Sequence, residues 1–197
     1  ACCRTYVNAV KSAFGDKGQV LYASKAASFK RMYEIMREED MGIDVVSCGE
    51  IATAMKAGFP LSNAFFHSNN KTDADIDFAI SNGIGYFVID SEEELCAIDE
   101  IAYKHNIIQK VMLRITPGID CHTYEEVATG KVDSKFGSAI VTKQAENITA
   151  LALSHSPKPK KPLPSKTMAA IHIPLKTVSL PCPSTVLATS PQSNRKK

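Results

Sequence analysis

The chain has 197 residues, of which 44% are hydrophobic, and its 23 basic residues nearly balance its 21 acidic ones. This length can form one ordinary domain but is short for a complete eight-fold barrel, which takes about 250 residues. No segment approaches the ~18 uninterrupted apolar residues of a membrane span and no secretory signal is visible, so we expect a globular, cytoplasmic protein. The six cysteines form no C-x-x-C pair, so neither a zinc site nor a disulfide framework is indicated.

Residues 1–154 alternate helix and strand patterns. Helical spacing of apolar residues predicts helices over residues 5–14, 28–39, 47–58, 73–80 and 91–104, two of which open on a Ser-x-x-Glu sequence with the form of a capping box. Short apolar segments predict strands over residues 19–23, 43–46, 64–66, 86–89 and 110–115. Five strands separated by helices predict an α/β fold with a parallel sheet, either a barrel or an open doubly wound sheet. Strand spacing does not choose between the two.

Composition changes near residue 155. Eight of the ten prolines fall between Pro157 and Pro191, and no acidic residue occurs after Glu146. Residues 155–197 are therefore predicted to be a basic, proline-rich, disordered tail, and residues 1–154 a folded domain. The tail could bind nucleic acid or an acidic surface, but it has no Phe, Trp or Tyr to stack on a base.

Polar side chains follow the predicted strands, at the edge where both architectures carry their chemistry. They are Lys25, Asp44, Ser47, His67, Asn69, Asp90, Arg114 and Thr116. Lys25 follows an apolar run that predicts a buried strand, and loss of solvent favours the neutral, nucleophilic amine that a Schiff-base lysine needs. The alternative is a strand-end lysine that extends into solvent. No G-x-G-x-x-G or P-loop sequence occurs, so a dinucleotide or P-loop site has no support.

Several segments in collinear order, over about residues 4–150, resemble the diaminopimelate decarboxylase family of pyridoxal-phosphate enzymes. They are LYASKA (21–26), DVVSCGE (44–50), FHSNNK (66–71), LRITPGI (113–119) and DSKFG (133–137). The resemblance implies a (β/α)8 TIM barrel of the alanine-racemase-like class that binds pyridoxal 5'-phosphate and works as a homodimer. It also implies that meso-2,6-diaminopimelate is converted to L-lysine and CO2, the last step of lysine biosynthesis, with no metal, nucleic acid or membrane partner.

The resemblance also implies roles for individual residues. Lys25 would be the catalytic residue that holds the cofactor as a Schiff base, while Asp44, His67 and Arg114 would line the cofactor pocket. Asp44 and Arg114 carry opposite charges that would steady Lys25, and a purely structural Asp–Arg pair is the alternative. A hydrogen-bonded core histidine is the alternative for His67.

The chain departs from the family pattern in its second half. The H-x-G-S-type segment, the glycine-rich phosphate cradle, a glutamate for the pyridine nitrogen and the β domain are missing, and residues 138–197 contain no glycine. We therefore expect a partial barrel of about five βα units, an incomplete fragment that is inactive as given. Two alternatives stay open: a non-catalytic pyridoxal-phosphate-binding barrel protein, and a binding module that acts through its basic tail.

Overall fold

A computed structural model of the chain describes residues 2–116, 137–140 and 142–155. The helices are α1 Cys2–Phe14, α2 Lys30–Glu38, α3 Cys48–Lys56, α4 Asp73–Ser81, α5 Glu92–Lys104 and α6 Gln144–His155. The strands are β1 Leu21–Ala23, β2 Gly42–Val45, β3 Ala64–His67, β4 Tyr86–Ile89, β5 Lys110–Leu113, β6 Ile115–Thr116 and β7 Ser138–Ala139. The motif residues 117–119 and 133–136 and the predicted tail from residue 156 onward lie outside the described residues.

Strands β1 to β5 form one parallel sheet in which each strand pairs with the strand that precedes it in the chain. One row of paired residues crosses the whole sheet, through Ala23, Asp44, Phe65, Tyr86 and Lys110. Within this row the Phe65 and Tyr86 rings stack with centroids 4.4 Å apart, and the Lys110 ammonium lies 5.1 Å from the Tyr86 ring centroid. Five parallel strands that alternate with helices confirm the predicted α/β fold.

The opposite face of the sheet forms the hydrophobic core with the helices. In β2, Ile43 and Val45 are fully buried, whereas Asp44 between them is partly exposed on the other face. This alternation is the two-residue period of a strand. The same core includes residues from all of helices α2 to α6. Among the described residues no helix is long and apolar enough to cross a membrane.

Helices α3 and α5 begin at the serines that the sequence predicts. Ser47 Oγ accepts a hydrogen bond from the Glu50 N–H at 3.3 Å, and Ser91 Oγ accepts one from the Glu94 N–H at 3.2 Å. In a complete capping box the glutamate carboxylate would accept from the N–H of the cap residue itself. Here the Glu50 carboxylate accepts instead from the N–H of Val46, one residue before the cap, at 2.7 Å. The Glu94 carboxylate likewise accepts from the Asp90 N–H at 3.2 Å, so each glutamate connects the start of its helix to the end of the preceding strand.

The fifth strand ends earlier than predicted. Residues 110–115 were expected as one strand, but β5 ends at Leu113, and β6 pairs with β7 in a separate two-stranded parallel sheet. Gly137, which leads into β7, has a φ of +80°, and a Cβ atom at this position would lie 2.7 Å from Thr116 Oγ1. A residue with a side chain would be strained and crowded at this position, so glycine permits the close approach of the two short strands.

Candidate functional site

The four predicted site residues all lie at the carboxyl edge of the sheet. Lys25 belongs to a 3-10 turn, Ser24–Ala26, that follows β1 directly. Asp44 is the third residue of β2, His67 ends β3, and Arg114 follows β5. Since all five strands are parallel, these residues share the edge where α/β enzymes bind their ligands.

Asp44 and His67 are in direct contact. Asp44 pairs in register with Phe65, and His67 lies two residues further along β3, so the two side chains share a face of the sheet. The distance from His67 Nδ1 to Asp44 Oδ2 is 3.6 Å, an ion-pair distance if the imidazole is protonated and longer than a hydrogen bond. The other oxygen, Asp44 Oδ1, is buried and has no hydrogen-bond partner in the part of the chain that the structure describes.

Lys25 is exposed, so the prediction that its strand would bury it is wrong. Strand β1 is one of the two outermost strands of the described sheet, and among the described strands only β2 pairs with it. Leu21, the first residue of β1, is also exposed. Ser24, the residue before Lys25, is fully buried, and its hydroxyl has no hydrogen-bond partner among the described residues.

Arg114 and Asp44 do not form the ion pair that their opposite charges suggest, because β3 and β4 lie between their strands. Arg114 is half-buried and fixed through its backbone. Its N–H donates to the Ile89 carbonyl at 2.7 Å, and its carbonyl accepts from the Ser138 N–H at 2.8 Å. The short strand β7 thus attaches to the sheet next to Arg114.

Sequence reasoning assigned no role to Lys71, although it ends the FHSNNK segment. Lys71 lies in the loop that follows β3, and its side chain is completely buried. The ammonium donates to the Ser68 carbonyl at 2.6 Å and to the Val88 carbonyl at 2.9 Å, and it also contacts the Glu94 carboxylate. In the sequence, Lys71 and Glu94 each follow a predicted strand by a few residues. That pattern does not indicate that the two side chains meet.

The model of a known domain matches this chain over residues 3–156, and it describes the pyridoxal binding domain of pyridoxal-dependent decarboxylases. The chain belongs to the pyridoxal-dependent decarboxylase family.

Two similar members of this family are bacterial. The diaminopimelate decarboxylase of Staphylococcus aureus (strain COL) is 48% identical over 137 residues, which cover 70% of this chain and 32% of that protein. The diaminopimelate decarboxylase of Bacillus methanolicus is 44% identical over 140 residues, which cover 71% of this chain and 32% of that protein. The chain therefore spans 32% of the length of each of these relatives.

Solved structures of the family show the same fold. The diaminopimelate decarboxylase of Helicobacter pylori, complexed with L-lysine, has a TM-score of 0.69 and 29% identity, with 78% of this chain and 39% of that chain covered. The corresponding enzyme from M. jannaschii, also with L-lysine, has a TM-score of 0.66 and 28% identity, with 78% and 37% covered. These comparisons confirm the predicted family resemblance, and they confirm the fold as part of a decarboxylase barrel domain.

The residues at the carboxyl edge fit the aldehyde cofactor of this family. Two buried polar atoms lack a partner within the described ranges: one belongs to Ser24, the residue before Lys25, and the other to Asp44 on the neighbouring strand. Buried polar groups in native proteins are nearly always hydrogen-bonded, so a polar ligand here would complete the arrangement. No cluster of three His, Cys, Asp or Glu side chains that could hold a metal occurs among the described residues.

Proposed function

We propose that this chain forms the lysine-bearing part of a diaminopimelate decarboxylase site. Lys25 would hold pyridoxal 5'-phosphate covalently, and Asp44, His67 and Arg114 would line the cofactor pocket. The single observation that carries the proposal is the position of Lys25 at the carboxyl edge of a decarboxylase-type sheet, near two buried polar atoms, of Ser24 and Asp44, that have no hydrogen-bond partner among the described residues. The bacterial relatives support diaminopimelate as the substrate, with L-lysine and CO2 as products.

Each residue contributes in a way that its position supports. The exposed amine of Lys25 can reach an aldehyde from solvent. The Asp44 carboxylate offers an acceptor for a cationic or N–H group, and its contact with His67 orients the imidazole on the face of the sheet that the two residues share. Arg114 places a permanent positive charge at the same edge, which suits an anionic group such as a phosphate or carboxylate.

When bound, pyridoxal phosphate supplies the electron sink that takes up the electron pair released as an α-carboxylate leaves. The chain's own residues would bind and orient this group. We propose that the whole enzyme works as a homodimer, as the resemblance implies. We also propose that this chain does not release CO2 from diaminopimelate by itself. Detectable CO2 in an assay with added pyridoxal phosphate would contradict this.

Reductive trapping tests the proposed role of Lys25. The chain is incubated with increasing pyridoxal phosphate, reduced with borohydride and mapped by peptide mass spectrometry. We expect saturable labelling of Lys25, weaker labelling with pyridoxal, which lacks the phosphate, and an about tenfold higher half-saturation in Asp44→Asn, because a charged contact is removed.

Lys30 is the internal control, since it is an exposed lysine on α2 that lies outside the proposed site. The variant Lys25→Ala should lose the saturable component and keep the background at Lys30. Equal, non-saturable labelling of Lys25 and Lys30 would overturn the proposed function.

A further inference from the structure

The Lys71 ammonium joins three separate parts of the carboxyl edge. Its acceptors are the Ser68 carbonyl in its own loop, the Val88 carbonyl in β4 and the Glu94 carboxylate in the first turn of α5. An ammonium has three N–H donors, so each donor has one acceptor. The side chain is 0% exposed, and its Nζ lies 5.4 Å from the centroid of the Phe66 ring. A fully buried and fully bonded lysine is not available as a nucleophile.

Glu94 extends this set of bonds toward Arg114. One carboxylate oxygen contacts Lys71, and the other accepts from the Asp90 N–H at 3.2 Å. The Asp90 carbonyl in turn accepts from the Ser138 hydroxyl at 2.9 Å, and the Ser138 N–H donates to the Arg114 carbonyl. The bonds form a continuous chain along the edge, from the loop after His67 to Arg114.

Burying the Lys71–Glu94 pair is energetically costly. The position of the pair between three parts of the edge suggests why it is nevertheless present. Desolvation raises the pKa of Glu94, and the adjacent Lys71 ammonium opposes that change. A buried ion pair is often no more stabilising than apolar residues of similar volume, so general stability does not explain its presence. Buried polar pairs are better attested as devices that fix one arrangement among several.

We propose that Lys71 and Glu94 are positioning residues, which fix the loop Ser68–Lys71 and the Asp90 turn and thereby hold His67 and Arg114 at the edge. This inference rests on the proposed function, because His67 and Arg114 are proposed there to line the cofactor pocket. The positioning of these residues can nevertheless be measured without the cofactor. The loop lies directly after His67, and the bonds from Glu94 reach Arg114 through Asp90 and Ser138.

A charge-neutral double variant of the full chain tests the proposal. Lys71→Met/Glu94→Gln removes one positive and one negative charge, fills similar volume and leaves an amide oxygen to accept from Asp90. The matched control is Lys104→Met/Glu100→Gln, which removes the same charges from an exposed pair on the same helix, where Nζ and Oε1 are 2.7 Å apart and the side chains are 63% and 70% exposed.

Three measurements compare the variants: thermal midpoint, amide hydrogen exchange, and the imidazole resonances of His67 with His105 as internal reference. In the Lys71/Glu94 variant we expect exchange at residues 68–71 and 90–91 to accelerate at least about tenfold, because bonds to charged groups are lost. We also expect the His67 resonances to shift while those of His105 stay constant. The control should change neither the exchange at residues 68–71 and 90–91 nor the His67 resonances.

The cofactor measurement separates positioning from simple structural support. The half-saturation for trapping Lys25 should rise about tenfold in the Lys71/Glu94 variant, although Lys25 lies in the turn after β1 and outside the bonded chain. Unchanged exchange and unchanged His67 resonances would overturn the inference. Faster exchange with unchanged His67 resonances and unchanged half-saturation would overturn it too, since the pair would then support the fold alone.

The two proposals can fail separately. If the unmodified chain shows no saturable labelling at Lys25, the proposed function fails, and the exchange and resonance data still decide whether the pair positions His67. If the double variant does not fold, Glu94→Gln alone is measured in the same way. It removes the charge and leaves one oxygen for either the Lys71 ammonium or the Asp90 N–H, so one of the two bonds is lost. A shift of the His67 resonances is again expected, and its absence would contradict the inference.

Discussion

Two lysines at the same edge of the sheet have opposite environments. Lys25 follows β1 and is exposed, whereas Lys71 follows β3 and has a completely buried side chain. Strand β3 has paired neighbours on both sides, but β1 has one described neighbour, β2. The apolar character of the preceding strand therefore does not decide whether a lysine is buried, because burial depends on what lies on both sides of that strand.

The largest effect should come from the core next to the central strands. Phe87 in β4 is 0% exposed and its ring lies 5.7 Å from that of Phe66, whereas Leu21 in β1 is 37% exposed. Phe87→Ala should lower the free energy of unfolding by about 3–5 kcal/mol, because it leaves a cavity in the core. Leu21→Ala should cost much less, since the side chain already contacts water. Urea unfolding of both variants, followed by circular dichroism, measures the difference, and similar losses would break the comparison.

The next effect concerns how the helices begin. Helix α4 has a complete capping box, in which Thr72 Oγ1 accepts from the Asp75 N–H and the Asp75 carboxylate accepts from the Thr72 N–H. Helix α2 begins at Phe29, whose side chain forms no cap. Thr72→Ala should therefore cost about 1 kcal/mol, and Phe29→Ala close to nothing in capping energy. Thermal unfolding of the two variants checks this, and an equal loss would argue against the cap.

Acid should weaken the same cap. The Thr72 hydroxyl, with a smaller contribution from the Cys48 thiol, lowers the pKa of Asp75. The unfolded chain therefore takes up this proton first as the pH falls, so the contribution is complete above the usual aspartate range and is lost as the pH falls through the folded-state value. Asp75→Asn should destabilise the chain at neutral pH and make its stability less dependent on pH below about 4. Urea midpoints across this range test the sign, with Asp73→Asn as the control for charge in the same helical turn.

The smallest expected effect concerns the reactivity of a cysteine, Cys48, and has little influence on stability. Desolvation, with a hydrogen bond to Asp75, raises the pKa of the Cys48 thiol to about 12. Cys2 and Cys96 are exposed. Because the thiolate is the reactive form, iodoacetamide should modify Cys48 far more slowly than the other two at neutral pH. Peptide mapping over time measures the order, and Asp75→Asn should accelerate labelling of Cys48. Early labelling of Cys48 in the unmodified chain would contradict its partly buried contact with Asp75.

Local features of the fold could be predicted from the sequence. Ser47 and Ser91 begin helices as expected, since a cap depends on residues close in the chain. The five strands were also placed to within two residues: β1 begins at Leu21 and not at residue 19, and β5 ends at Leu113, where the Arg114 N–H bonds to Ile89 and the next residues pair with β7. That pairing depends on residues far along the chain, which local patterns do not report.

The site was predictable in position but not in environment. The motifs placed Lys25 and Asp44 at one edge, and the structure agrees. The exposure of Lys25 could not be predicted from the local pattern. It follows from the position of β1 in the sheet, where β2 is its one neighbour among the described strands. The contact between Lys71 and Glu94 was missed for a similar reason, since residues 23 positions apart meet only through the tertiary fold.

The order of the sheet has a consequence for how the chain acquires its structure. Each of β2 to β5 pairs with the strand that was synthesised just before it, across connections of about 20 residues, so loop closure costs little at every step. During translation each new strand and helix can therefore add to a surface that has already formed, without waiting for a distant segment. We expect the five-stranded sheet to assemble from its amino-terminal end, with β1 serving as the first template and β5 closing the series.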